Sequence, residues 1–258
     1  MSRFSRFQQI KSLKKSNIIF VGIIIFAISQ IILPIFYPNS IFNPYNSGFA
    51  IIMDLIIYLG FFILAIYFRL EEKALSTKEV SLIIIYSAFT AVARIPFVSL
   101  PSVQPCSYLI FSAGFVFGPL IGFIIGANTA LISNFMLGQG PWTLYQIIGW
   151  GLIGIIGGLL NYTKEKRPNK WINVIIGFSL GFIYGWLLNL WFWLIFIRPL
   201  TFESWILSNI SSFYFDLSHA ISNGVFLYLF GKKTINILYR YRHRFLVRII
   251  EDSPHDAI

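Results

Sequence analysis

Charge is scarce in this sequence. Only 12% of its 258 residues are Asp, Glu, Lys or Arg, whereas a soluble domain of ordinary composition carries about 25%. Cysteine is almost absent: Cys106 stands alone, which excludes an internal disulfide and a cysteine-rich metal site. No G-x-x-x-x-G-K-[ST] loop occurs, so the chain does not bind and hydrolyse ATP by itself. Neither H-E-x-x-H nor G-x-S-x-G occurs, and no metal or cofactor is expected. These absences remove the soluble globular class, the nucleotide-driven motor and the common hydrolase signatures.

What is present is apolar. Hydrophobic residues make up 57% of the chain and aromatics 18%. Eight apolar segments can be marked, near 18–38, 48–68, 79–97, 104–117, 119–137, 142–160, 171–197 and 206–231. Most are long enough to cross a bilayer as helices, and none shows the ten-residue alternation of a barrel strand. The expected fold is therefore an all-α integral membrane protein of about eight transmembrane helices. The first 38 residues have the basic start and apolar core of a signal peptide. However, 18–37 can span and no small-x-small cleavage site follows, so this helix is expected to be retained.

The net charge of +10 acquires a meaning from its distribution. With the N-terminus in the cytoplasm, eighteen of the twenty lysines and arginines fall on the cytoplasmic side, and only Arg94 and Arg198 fall outside. Such a collar suits anionic lipid head groups and gives no sign of a nucleic-acid partner. Both termini are thus expected in the cytoplasm of a multi-pass plasma-membrane protein. The outer loops, 39–47, 98–103, 138–141 and 198–205, are too short to form a soluble domain.

Within this frame one stretch stands out. Gly114, Gly118, Gly122, Gly126, Ala130 and Asn134 recur every fourth residue, so most share a helix face where backbones can approach closely. Pro119 divides the run into a short helix and a longer one. The ladder ends in a polar turn, Gly138-Gln139-Gly140-Pro141-Trp142. A second ladder, Gly177, Gly181, Gly185, Asn189 and Trp193, repeats the device.

Polar groups inside a membrane each ask for an explanation. Asp216, His219 and Asn223 lie at i, i+3 and i+7, on one helical face. Asn134 and Asn189 lie toward the outer half. Gln139, Trp142 and Gln146 open the sixth segment from that side, and Arg94 and Gln104 flank the loop 98–103. Together they would line an outward-facing cavity with amides for hydrogen bonding and aromatics for stacking. Each has a plainer role open to it. Glycine ladders serve packing, buried amides bridge helices, Asp216 and His219 can satisfy each other, and Trp142 suits the interfacial aromatic belt.

From about Val80 to Arg248 the chain resembles the substrate-binding membrane subunit, or S component, of energy-coupling-factor (ECF) vitamin transporters. The stretches that carry the resemblance are SAFTAVARIPFVSLPSVQP (87–105), GFVFGPLIGFIIGANTALISNFMLGQGPWT (114–143), FDLSHAISNGVF (215–226) and YRYRHR (239–244). The GQGPWT block resembles a group linked to cobalamin or related compounds. The resemblance implies a six-helix binding core at 79–231, preceded by two additional helices within 1–78 and followed by a basic cytoplasmic tail at 232–258. It further implies an outward pocket, a micronutrient ligand, a membrane scaffold and two cytoplasmic ATPases as partners, and no catalytic residue. The family's scaffold-docking Ala-x-x-x-Ala finds its nearest match in Ser87-x-x-x-Ala91. The pocket contacts expected by position are Arg94, Gln104, Asn134, Gln139, Trp142, Gln146, Asn189, Trp193, Asp216, His219 and Asn223, with 101–104 as a lid. The alternatives are a membrane enzyme using Asp216 and His219 on a lipid-linked substrate, and an assembly protein without a ligand.

Overall fold

The computed structural model describes residues 15–37, 39–40, 43, 48–71, 77–161 and 169–251. The N-terminal 14 residues, most of the 39–47 loop, the 72–76 and 162–168 connections and the acidic end 252–258 lie outside the described residues, and part of the charge distribution rests on them. All regular structure among the described residues is helical. The chain is an all-α membrane protein, and among the described residues five helical spans are long and apolar enough to cross a bilayer. Two compact units divide it, Met1–Val80 and Ser81–Ile258.

The first unit is built on two helices, α1 (Lys15–Phe36) and α2 (Gly48–Glu71). They run antiparallel: Lys15 meets the Phe68 ring, Gly22 faces Phe61, and Phe26 packs edge-on against Tyr58 at 5.0 Å. Asp54 is buried in this unit's sequence, 4% exposed.

The second unit holds most of α3 (Thr77–Val92) and a short 3-10 turn, Ile95–Phe97. Then come α4 (Cys106–Phe117), α5 (Pro119–Leu137), α6 (Trp142–Asn161) and α7 (Lys170–Phe196). The division between α4 and α5 falls at the expected dipeptide. Gly118 takes φ 97°, a region closed to most L side chains, and Pro119 opens the next helix with its φ already set. Gly138 ends α5 in the same way at φ 105°.

The core of this unit is a seam where backbone meets backbone. A Cβ on Gly114 or Gly122 would collide with the Gly154 carbonyl, one on Gly126 with Trp150 O, and one on Gly157 with Phe111 O. In lipid, where hydrophobic driving force between helices is absent, such close approach supplies the dispersion contacts that hold helices together. Trp150, fully buried, closes the upper part of the seam.

The expected single span at 206–231 is corrected. The chain there forms α8 (Phe202–Ser211), α9 (Phe213–Phe226) and a π-helical turn, Leu227–Gly231. The break falls at Ser212, whose backbone takes φ −90° and ψ −1° and turns its N–H to the Ile210 and Ser208 carbonyls, a local change that hydropathy does not register. The basic stretch that follows forms a helix, α10 (Lys232–Glu251). Ile235 and Leu238 are buried, and Arg242 donates to Val116 O at 2.7 Å, capping the last turn of α4.

Ser87 and Ala91, the expected docking pair, are both 0% exposed. They lie on the α3 face turned toward α4, where Tyr86 donates to Leu109 O and Cys106 Sγ to Thr90 O. Ile84, Ile85 and Phe89 form the exposed face instead. Neither small residue is open to a partner in this arrangement.

Candidate functional site

A cavity of about 720 Å³, open on one side, lies at the end of the second unit that carries the 93–105 segment. Its wall comes from that segment, the ends of α5 and α6 that flank the 138–141 turn, and α7, α8 and α9. Six of the eleven expected contacts line it: Arg94, Gln104, Gln146, Asn189, Asp216 and His219. The sequence did not single out Tyr184, Ser212 or the aromatic wall of Phe97, Trp191, Phe192 and Phe215, and it offered Gly185 only as a packing position.

Arg94 enters from the end of α3 and is held from behind. Its Nη1 donates to Ser133 Oγ and Asn134 Oδ1, both at 3.0 Å, and its guanidinium lies 5.4 Å from the centroid of the Trp150 ring. Asn134, 1% exposed, does not line the cavity. It fixes Arg94 with its oxygen, while its amide nitrogen donates to Thr143 Oγ1 at 2.9 Å and Gln146 Oε1 at 2.6 Å. Gln139 also stands back from the cavity. Its nitrogen donates to Leu131 O and its oxygen accepts from Thr143, which binds the 138–142 turn to α5. Trp142 packs against Trp191, centroids 5.5 Å apart, and supports the wall without being part of the lining. The GQGPWT block is thus a polar knot that positions Arg94 and Gln146.

The opposite wall is built on Asp216. Its Oδ2 accepts from Ser212 Oγ at 3.0 Å and from Asn189 Nδ2 at 3.1 Å, and the same Asn189 nitrogen lies within reach of Asn209 Oδ1. Gly185 makes this possible, because a Cβ there would collide with Asp216 Oδ1. Trp193 lies outside the cavity lining and ties α7 to α8, donating from Nε1 to Ser204 Oγ at 2.8 Å. Arg198 caps α7 by donating to the Leu194 and Ile197 carbonyls.

His219 joins the walls. A carbonyl only accepts, so the 2.8 Å contact of Nδ1 with Ser102 O places the ring proton on Nδ1. Nε2 of the neutral ring then accepts from Ser107 Oγ at 3.1 Å, and Ser107 in turn accepts from Trp150 Nε1 at 3.2 Å. The neighbouring Ser218 donates to Pro101 O at 2.9 Å. Two successive α9 side chains therefore grip two successive carbonyls of the expected lid, and Ser102 adopts φ 57° to present its own. The His219 ring packs 4.9 Å from Tyr184, which stacks on Trp150 at 5.4 Å.

Asp216 and His219 do not bond each other, and both ring nitrogens of His219 are occupied. This is the geometry of a latch, not of an acid–base pair. Asn223 shares their face but lies one turn deeper, outside the cavity lining. It is 1% exposed, and neither of its amide atoms has a hydrogen-bond partner. Among the described residues, no three His, Cys, Asp or Glu side chains gather in a way that would hold a metal ion.

Comparison with known proteins places the chain in a family. The family model for the ECF-type riboflavin transporter, S component, matches residues 74–236. A UPF0397 protein of Aliivibrio salmonicida (strain LFI1238) is 28% identical over 98 residues, which is 36% of this chain and 53% of the relative. UPF0397 proteins of Aliivibrio fischeri (strain MJ11) and Vibrio atlanticus (strain LGP32) are each 26% identical, again with 36% of this chain and 53% of the relative covered. The chain spans about half the length of these curated relatives. No solved structure matches.

Proposed function

The chain belongs to the family of ECF-type riboflavin transporter S components, and from that premise we propose that it captures a flavin, riboflavin first, in the cavity at the 93–105 end. The family is a transporter family and not an enzymatic one. Its members bind a vitamin-type substrate and work with an ECF scaffold and ATPase subunits.

The observation that carries the reading is the cavity itself. At about 720 Å³ it lies within the range of sites for drug-sized ligands, about 300–1,000 Å³. A three-ring flavin with its polyol chain is a ligand of that size. A corrinoid, with its macrocycle, metal and nucleotide tail, is a larger ligand than a flavin. The cobalamin-type subgroup suggested by the GQGPWT block also gains no support from a match to the riboflavin family, and the block's own residues stand behind the wall. Tyr184, Trp191 and Phe192 supply faces for a planar ring, and Asn189, Gln104 and Gln146 supply amides.

In this reading the cavity opens outward across the plasma membrane, and the termini lie in the cytoplasm with the scaffold and two ATPases that drive release. The charge pattern supports that orientation. Lys170, Lys232, Lys233, Arg240 and Arg242 all stand at or beyond the opposite end of the helices that build the cavity.

The test is direct. Detergent-purified protein, without ATP or partners, is titrated with riboflavin, cobalamin and pyridoxine. Riboflavin should saturate one site per chain while the other two fail to. Saturation by cobalamin in place of riboflavin would overturn the proposal.

A further inference from the structure

The cavity has two poles of opposite charge that do not meet. At one, the Arg94 guanidinium carries five N–H donors. Nη1 uses its two on Ser133 and Asn134, and the remainder have no protein acceptor among the described residues. Arg94 lines the cavity, so those donors are available to its contents. At the other, Asp216 Oδ2 is held by Ser212 and Asn189, whereas Oδ1 receives no donor among the described residues. No ion pair forms between Arg94 and Asp216, nor between either one and any other described residue. Charges left unpaired at membrane depth are costly, and a protein that keeps them there keeps them for something that enters.

We infer that the ligand lies in one fixed direction, with an acceptor-rich edge on Arg94 and a hydroxyl-bearing chain on Asp216, Asn189 and Ser212. This rests on the flavin reading of the cavity. For a flavin the acceptor edge is the pyrimidinedione, whose carbonyl oxygens take the free guanidinium N–H groups. The polyol then supplies the O–H donors that the Asp216 carboxylate lacks. Arg94 and Asp216 are specificity-determining residues acting on different ends of one molecule: Arg94 reads the ring, and Asp216 reads the chain. Gly185 belongs to the same device, because any side chain there would fill the space beside Oδ1.

The experiment separates the ends chemically. Full-length protein in detergent is titrated with riboflavin and with lumiflavin, which keeps the ring system but carries a methyl group in place of the polyol. Wild type should bind riboflavin at least about tenfold tighter than lumiflavin, the scale of one hydrogen bond to a charged group. Asp216→Asn should weaken riboflavin by about tenfold and leave lumiflavin within about twofold. Arg94→Gln should weaken both flavins by a similar factor. The inference fails if Asp216→Asn weakens lumiflavin as much as riboflavin, or if Arg94→Gln weakens riboflavin alone. Should a variant not fold, wild type titrated with N3-methylated riboflavin decides the matter. Blocking the imide edge should lower affinity, and an unchanged affinity overturns the assigned direction. Wild type that binds neither flavin removes the flavin reading and this inference with it. That outcome is distinct from flavins that bind without direction.

Discussion

Two glycine ladders run through the second unit, and they end differently. On the α4–α5–α6 seam most rungs meet backbone: Gly114 and Gly122 meet Gly154, Gly126 meets Trp150, and Gly158 meets Pro119, while Gly151 meets the Phe123 ring and Gly118 serves the turn between α4 and α5. On the α7–α9 seam the partner changes with depth. Gly177 meets the Leu227 side chain and the Asn223 carbonyl, Gly181 meets the Ala220 backbone, and Gly185 meets the Asp216 carboxylate. The first ladder closes a wall. The second begins as a wall and ends at the cavity, because at its last rung the missing Cβ makes room for a charged side chain instead of a neighbouring helix. One packing device therefore serves two purposes, decided by what stands opposite the glycine.

That contrast can be broken most severely at Gly154. In Gly154→Val the added side chain collides with the Gly122 backbone, which cannot move aside as a flexible side chain would. The expected loss is about 3 kcal/mol or more, read as a collapse of the monodisperse peak and of the thermal transition in detergent. A variant as stable as wild type would show that the seam is not closed as described. The matching change on the other ladder, Gly185→Ala, should act differently. The fold should survive while riboflavin affinity falls roughly tenfold to a hundredfold, because the new methyl displaces Asp216 Oδ1. Equal damage to stability would erase the distinction between the ladders.

His219→Ala sharpens the comparison at the junction of the two walls. It removes the hold on Ser102 and leaves Ser107 without its acceptor. Riboflavin should dissociate about tenfold faster as the 98–105 segment loosens. An unchanged dissociation rate in stopped-flow measurements would deny the latch. The smallest effect is expected at Asn223→Leu. Its amide is buried without a partner, so an apolar side chain of similar volume should raise thermal stability by about 1 kcal/mol and leave affinity unchanged. A large affinity loss would mean that Asn223 belongs to the site after all.

Much of this was legible in the residues. Fourfold spacing of glycine exposes a close-packing face whatever lies opposite it, and a Gly-Pro dipeptide marks a helix boundary because both residues constrain the backbone locally. Asp216 and His219 could be placed on one face by spacing alone. Spacing does not report depth, so Asn223 was grouped with them although it sits a turn below. Nor does it report which of two polar residues touches a ligand and which holds the first in place. Asn134, Gln139 and Trp142 read as contacts by position, and they stand behind the cavity lining, against Arg94 and Trp191. The break at Ser212 was invisible to hydropathy because it is a change of backbone dihedrals inside an apolar run. Tyr184 left a usable signal, standing next to Gly185 on a ladder already recognised. Ser212 left another, four residues before Asp216.

Everything central to this account concerns where the ligand sits, and labelling can locate it. Cys106 is fully buried, so a single introduced cysteine reports alone. Leu100→Cys, beside the 101–104 loop and in the cavity wall, should react with maleimide slowly once riboflavin saturates the protein, while Lys170→Cys at the opposite end should react at the same rate with or without it. Riboflavin that binds tightly yet leaves Leu100→Cys labelling unchanged would place the ligand elsewhere and contradict the account.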